Sequence, residues 1–90
     1  MNFENLTALY HYFDQLADHE EDDDLLFASS YIRGFIALSA SELGNESQPL
    51  SAQLAGNVSE QLASSKHELT PQDQVLVNNY WQQLLPSFKY

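Results

Sequence analysis

Asp24-Leu25-Leu26-Phe27-Ala28-Ser29-Ser30-Tyr31-Ile32-Arg33-Gly34-Phe35-Ile36-Ala37-Leu38-Ser39-Ala40-Ser41-Glu42-Leu43 is the stretch that decides the fold. Its apolar residues recur three and four positions apart, the spacing of a helix face. Leu25, Ala28, Ile32, Phe35, Ile36 and Leu43 make one stripe, and Phe27, Tyr31, Gly34 and Leu38 make a second beside it. Together the stripes cover more than half the circumference, which only a helix packed on more than one neighbour can bury. The polar remainder is Ser29, Ser30, Arg33, Ser41 and Glu42. The spacing therefore predicts a central helix over 24–43. Asp22 and Asp23 are its N-cap candidates, and acids there suit the positive end of the helix dipole. Gly44 and Asn45 supply the stop. Gly34 costs about 1 kcal/mol relative to alanine inside a helix, an expense that close approach of a neighbouring helix is expected to offset.

Three more helices are expected around this one. Leu6, Leu9, Tyr10, Phe13, Leu16 and Ala17 share one face over 3–18, with Asn2 or Asn5 as cap. Leu50, Leu54, Val58 and Leu62 repeat every four residues over 50–64, with Ser47 or Ser51 as cap and Pro49 near the first turn. This segment contains Gly56 and Asn57 and is expected to fray toward Ser64-Ser65-Lys66. The start of the last helix, 71–85, is the most explicit. Thr70 stands at the cap, Pro71 at the first helical position and Asp73 three residues after the cap, with Leu69 as a staple. Its buried stripe is Leu76, Val77, Tyr80, Trp81, Leu84 and Leu85. Pro86 ends it, and Phe88 is placed to fold back on the core. Alternating strand patterns are absent. The connections are short, so the expected architecture is a single all-α domain over 1–90, a four-helix bundle running up-down-up-down.

The composition is globular, with 43% hydrophobic and 12% aromatic residues. Cysteine is absent, which excludes disulfides, thiolate metal sites and a cysteine nucleophile. Met1-Asn2-Phe3-Glu4-Asn5 lacks the basic and apolar regions of a signal peptide. No apolar run approaches the length of a membrane span. A cytoplasmic location is the expectation. Thirteen acids face three bases, Arg33, Lys66 and Lys89, for a formal charge of -10. Ten of the acids and only Arg33 fall within 1–46, so the first half carries -9. Such a field repels nucleic acid and anionic lipid and attracts basic partners or cations.

Little in the sequence points to catalysis. Asp18-His19-Glu20-Glu21-Asp22-Asp23-Asp24 holds six carboxylates in seven residues but lacks the glycine of a calcium-binding loop. It reads as a solvated turn whose last acids cap the central helix. His11, Asp14 and Asp18 share one side of the first helix. However, the Glu-x-x-His pairs of a di-iron bundle and the His-Glu-x-x-His of a zinc protease are missing. Ser64, Ser65 and His67 are neighbours without a nucleophile turn or an orienting third group. The three glycines, 34, 44 and 56, form no phosphate-cradling loop. No enzyme activity, cofactor or metal is expected.

The stretch Asp23-Asp24-Leu25-Leu26-Phe27-Ala28-Ser29-Ser30-Tyr31-Ile32-Arg33-Gly34 resembles the signature of the YfcL-like family of small proteobacterial proteins. Leu69-Thr70-Pro71-Gln72-Asp73-Gln74-Val75-Leu76-Val77, with Trp81 after it, is similar to that family's C-terminal helix. The resemblance implies a cytoplasmic helical bundle and carries no catalytic residues across.

The function expected is therefore a non-enzymatic protein-interaction module. Its candidate patch is Asp22, Asp23, Asp24, Tyr31 and Arg33, offered to a basic protein partner. Neither nucleic acid nor membrane is expected as a partner, and the chain is expected to be a monomer or a homodimer. Arg33 reads first as an ion-paired helix residue and second as an anchor for a partner. The alternative function is a small-ligand or divalent-cation-binding protein. Its site would lie near Tyr31, Tyr80 and Trp81 between the second and fourth helices, or in the acidic turn.

Overall fold

The computed structural model describes residues 3–45 and 48–88. Its four helices are α1 (Leu6–His19), α2 (Asp23–Leu43), α3 (Ala52–Ser65) and α4 (Pro71–Leu84). Single 3-10 turns, Lys66–Glu68 and Leu85–Ser87, follow α3 and α4. The helices run up-down-up-down as a four-helix bundle. None of the described helices is long and apolar enough to cross a membrane.

Each helix starts where a side chain can take up its free N–H groups. Asn5 Oδ1 accepts from the Ala8 N–H at 3.0 Å, so α1 begins at Leu6 rather than at residue 3. Asp22 Oδ1 accepts from the Asp24 and Leu25 N–H groups. Ser51 Oγ accepts from Leu54, and Thr70 Oγ1 from Asp73, both at 3.2 Å. The other cap candidates, Asn2 and Ser47, lie outside the described residues. Leu50 precedes the Ser51 cap and is buried there, outside α3. The Leu6 N–H reaches across to the Gln48 carbonyl at 3.0 Å, tying the start of α1 to the loop after α2.

The core centres on α2, which packs against α1, α3 and α4 in turn. Ala28, Ile32, Ile36 and Ala40 give it one continuous buried row. Ile32 and Ile36 are wholly buried, each contributing about 1.5–3 kcal/mol. Leu6, Leu9 and Phe13 meet this row from α1, Leu54, Ala55 and Val58 from α3, and Val77, Trp81 and Leu84 from α4. Phe88 folds back as expected, its ring edge-on to Trp81 at 5.3 Å.

The structure corrects the periodic reading in several places. Ala17 is exposed at the end of the α1 stripe. Leu76 on α4 is only half-buried, as is Leu85, which falls in the 3-10 turn after the helix rather than in it. The second stripe of α2 is largely outside: Leu38 is 50% exposed, and Phe27 and Gly34 also face water. Conversely Ser29 and Ser39 are buried. Ser29 Oγ stays satisfied by donating to the Leu26 carbonyl at 3.2 Å. α3 does not fray at Ser64-Ser65-Lys66 but tightens into the 3-10 turn. Pro86 sits within the second such turn. Leu69 faces Gln74 at the position where a staple would need an apolar side chain; the Gln74 amide donates to the Lys66 and Leu69 carbonyls instead.

Gly34 has no neighbour to accommodate, because a Cβ built there meets nothing within 4 Å. Gly56 is equally open. Gly44 differs: its φ of 151° and ψ of -152° lie where side chains other than hydrogen are strained. The three glycines should therefore respond with opposite signs. Gly34→Ala and Gly56→Ala should each raise unfolding free energy by about 0.5–1 kcal/mol. Gly44→Ala should lower it by about 1–3 kcal/mol. Urea unfolding followed by circular dichroism checks all three, and a loss at Gly34 would contradict its open surroundings.

Candidate functional site

α3 and α4 both lie on α2 but scarcely touch each other along their backbones. Side chains of α4 bond to α3 at one point and to the turn connecting the two helices at another. Near one end of the pair Trp81 Nε1 donates to Ser59 Oγ at 2.9 Å. Near the other the Gln74 amide donates to the Lys66 and Leu69 carbonyls at 2.9 and 3.1 Å. A furrow of about 640 Å³ opens between them. Buried Val77 and Trp81 form its floor with Tyr31 of α2, and half-buried Leu62 and Leu69 form its sides. Val75, 57% exposed, stands on the rim with Lys66, Asn78 and Gln82. From Pro71 to Gln82 the α4 wall rises through eleven steps, or about 16 Å at 1.5 Å per residue.

Tyr31 sits between Phe27 and Phe35 on α2, with ring centroids 5.9 and 5.0 Å away. Its hydroxyl is covered and has no hydrogen-bond partner among the described residues. Burial, and then the charge of Glu68, push its pKa up. Tyr80 was expected beside Tyr31 and Trp81, but it is not among the furrow walls. One residue before Trp81, it points about 100° away around the helix and is buried beside Tyr12. Burial and then the neighbouring Tyr12 phenol raise the Tyr80 pKa strongly.

The acidic turn is organised by its own backbone. Glu20 Oε1 accepts from the Glu21 and Asp22 N–H groups, both at 3.0 Å. Asp22 is committed to capping α2, while Asp23 and Asp24 are exposed in its first turn. Arg33 is bound to Asp14 of α1 and lies over the Tyr10 ring, 5.2 Å from its centroid. Both ends of that ion pair are substantially exposed, so it adds about 0–1 kcal/mol. Asp14 is thereby taken from the His11–Asp14–Asp18 face, and His11 engages Gln15. No group of three or more His, Asp or Glu residues among those described is arranged to hold a metal ion.

The candidate patch is thus distributed over three places. Asp22, Asp23 and Asp24 occupy the N-terminal end of α2, Tyr31 the furrow, and Arg33 the α1–α2 seam. Tyr31 and Arg33 are two positions apart, about 200° around the helix. What the structure brings together is Tyr31 and Trp81. The rim residues Val75 and Lys66 were not singled out in the sequence. Val75-Leu76-Val77 held a signal for the first, since three consecutive residues cannot all face one core.

The family model described as YfcL protein matches residues 2–86. The uncharacterized protein YfcL of Escherichia coli (strain K12) is 38% identical over 73 residues, covering 79% of this chain and 78% of that protein. No solved structure matches the chain.

The two tyrosines generate a prediction. Tyr31→Phe removes a covered hydroxyl without a described partner. It should leave stability unchanged or raise it by up to about 1 kcal/mol, where a hydrogen-bonded phenol would lose about as much. The fold also holds both phenols neutral, whereas the unfolded chain releases their protons near pH 10. Above that pH the unfolded state binds fewer protons, so stability falls as pH rises. Denaturation between pH 8 and 11 should show this decline, with a shallower slope in Tyr80→Phe; equal slopes would refute it.

Proposed function

The chain belongs to the YfcL family, and we propose that it works as a non-enzymatic protein-interaction module, receiving its partner in the furrow between α3 and α4. The observation that carries this reading is the furrow itself. It is an open, largely apolar channel of about 640 Å³ whose floor reaches the hydrophobic core at Val77 and Trp81. Half-buried Tyr31 and Leu62 and exposed Val75 supply apolar surface for a partner, above the buried Trp81. The acidic turn supports the choice of a basic partner. Asp24 lies seven residues before Tyr31 along α2, about 10 Å at 1.5 Å per residue, which is close to the screening length at physiological salt. Salt attenuates its field at the furrow, but the net charge of -10 on the whole chain would speed encounter with a cationic protein. A second reading, a small-ligand site, is favoured by the furrow's volume, which falls within the range of small-molecule pockets.

Affinity capture from host-cell extract tests the interaction reading. The wild-type chain is compared with Val75→Lys and with the triple variant Asp22→Asn, Asp23→Asn, Asp24→Asn. Val75 is exposed and lysine is a good helix former, so the first variant should keep its fold. Asparagine caps as well as aspartate does, so the second should keep α2. Proteins held by the wild-type chain should be lost with Val75→Lys and released at lower salt by the triple variant. The same proteins retained by all three chains would overturn the reading.

A further inference from the structure

We infer that the furrow accepts a single amphipathic helix of about three turns, with apolar residues on one face and lysine or arginine on the flanks. This rests on the furrow being the docking site and adds the kind of segment that fills it.

The shape argues for a helix. The channel follows α3 and α4 from the Lys66–Pro71 end to the Ser59–Gln82 end, so it is long rather than round. Its α4 wall spans about 16 Å, roughly three helical turns. Over that length a helix presents apolar side chains at i, i+3 or i+4, and i+7, a row that matches the half-buried Tyr31, Leu62 and Leu69 of the walls in character. Val75 on the rim would be covered by the same helix.

Charge argues for a cationic one. Glu60 follows the furrow residue Ser59, Glu68 lies between Lys66 and Leu69, and Asp73 lies between Pro71 and Gln74. The Glu68 carboxylate is close enough to act on the Tyr31 phenol. Asp22, Asp23 and Asp24 add to this field from the N-terminal end of α2. Lys66 is the single cation on the described furrow walls. A helix with flanking lysines meets the field of a chain that carries -10, with Glu68 near Tyr31, whereas one with flanking glutamates meets it with like charge.

Three synthetic peptides of about 15 residues probe this, a length at which a helix is marginal alone and forms on docking. One carries an amphipathic leucine face with lysine flanks, the second the same face with glutamate flanks, and the third the first composition scrambled to destroy the face. Each is titrated into the ¹⁵N-labelled full chain. The lysine peptide should give saturable shifts at Tyr31, Leu62, Val75 and the Trp81 indole, weakening at least about tenfold between low and high salt. Lys66→Glu should tighten it several-fold. The glutamate peptide and the scrambled peptide should not saturate. Equal binding of the lysine and glutamate peptides would overturn the charge requirement while leaving the furrow as the docking site. Equal binding of the scrambled peptide, or shifts confined to residues 18–24, would overturn the helical occupant. Absence of saturable binding by the lysine peptide would overturn the inference as a whole. The Val75→Lys capture result bears on the furrow independently of all these outcomes.

Discussion

The bundle depends on one helix being buried from several directions at once. α2 contributes the row Ala28, Ile32, Ile36 and Ala40, and each of the other helices finds its principal contact there. The row has an alanine at each end and two isoleucines in its middle, which suits this arrangement. Alanine lets a neighbouring helix come close, and isoleucine fills the space between approaches. The other helices rely on α2 more than on one another, so truncating Ile32 or Ile36 would unsettle several contacts together. Leucine or isoleucine to alanine changes at such sites cost about 2–5 kcal/mol, a large share of what a domain of this size has in reserve.

The same dependence explains the furrow. A bundle in which every adjacent pair packed closely would have no channel between α3 and α4. Here both helices lean on α2, and the Trp81–Ser59 hydrogen bond links them directly across the gap. Of the ring series Phe27–Tyr31–Phe35, the central Tyr31 faces that gap. Charge is arranged with comparable economy. The carboxylates of Glu20 and Asp22 hold their own turn and the start of α2, and Asp14 is matched by Arg33. Most of the remaining acids are exposed, and their repulsion is the electrostatic cost of keeping so negative a surface.

How much was legible in the sequence follows from the range of each interaction. Caps are local, so Asp22, Ser51 and Thr70 could be read from a few residues of context, as could the Gly44 stop. Helix existence was legible because periodicity sums over many residues. The width of each buried face was not, because it depends on where neighbours sit. Ser29 and Ser39 are buried, and Gly34 and Leu38 exposed, against the spacing alone. Arg33 pairs with Asp14 nineteen positions away, a distance at which several acids were equally eligible. Tyr31 and Trp81 could be named as site candidates from their chemistry. That Tyr80 leaves them, and that Val75 and Lys66 join them, is set by helix rotation and by the gap between α3 and α4.

The furrow divides its residues into two kinds. Val77 and Trp81 belong to the core, and changing them would threaten the fold. Ala63, Val75, Asn78 and Gln82 are exposed on the rim and support little beyond their own helices. Substitutions at such positions usually fall within about 0.5 kcal/mol. The rim can therefore be rewritten over evolutionary time without passing through unstable intermediates, while the floor holds the architecture constant. Descendants of one ancestral bundle could in this way diverge in what they recognise while remaining superimposable.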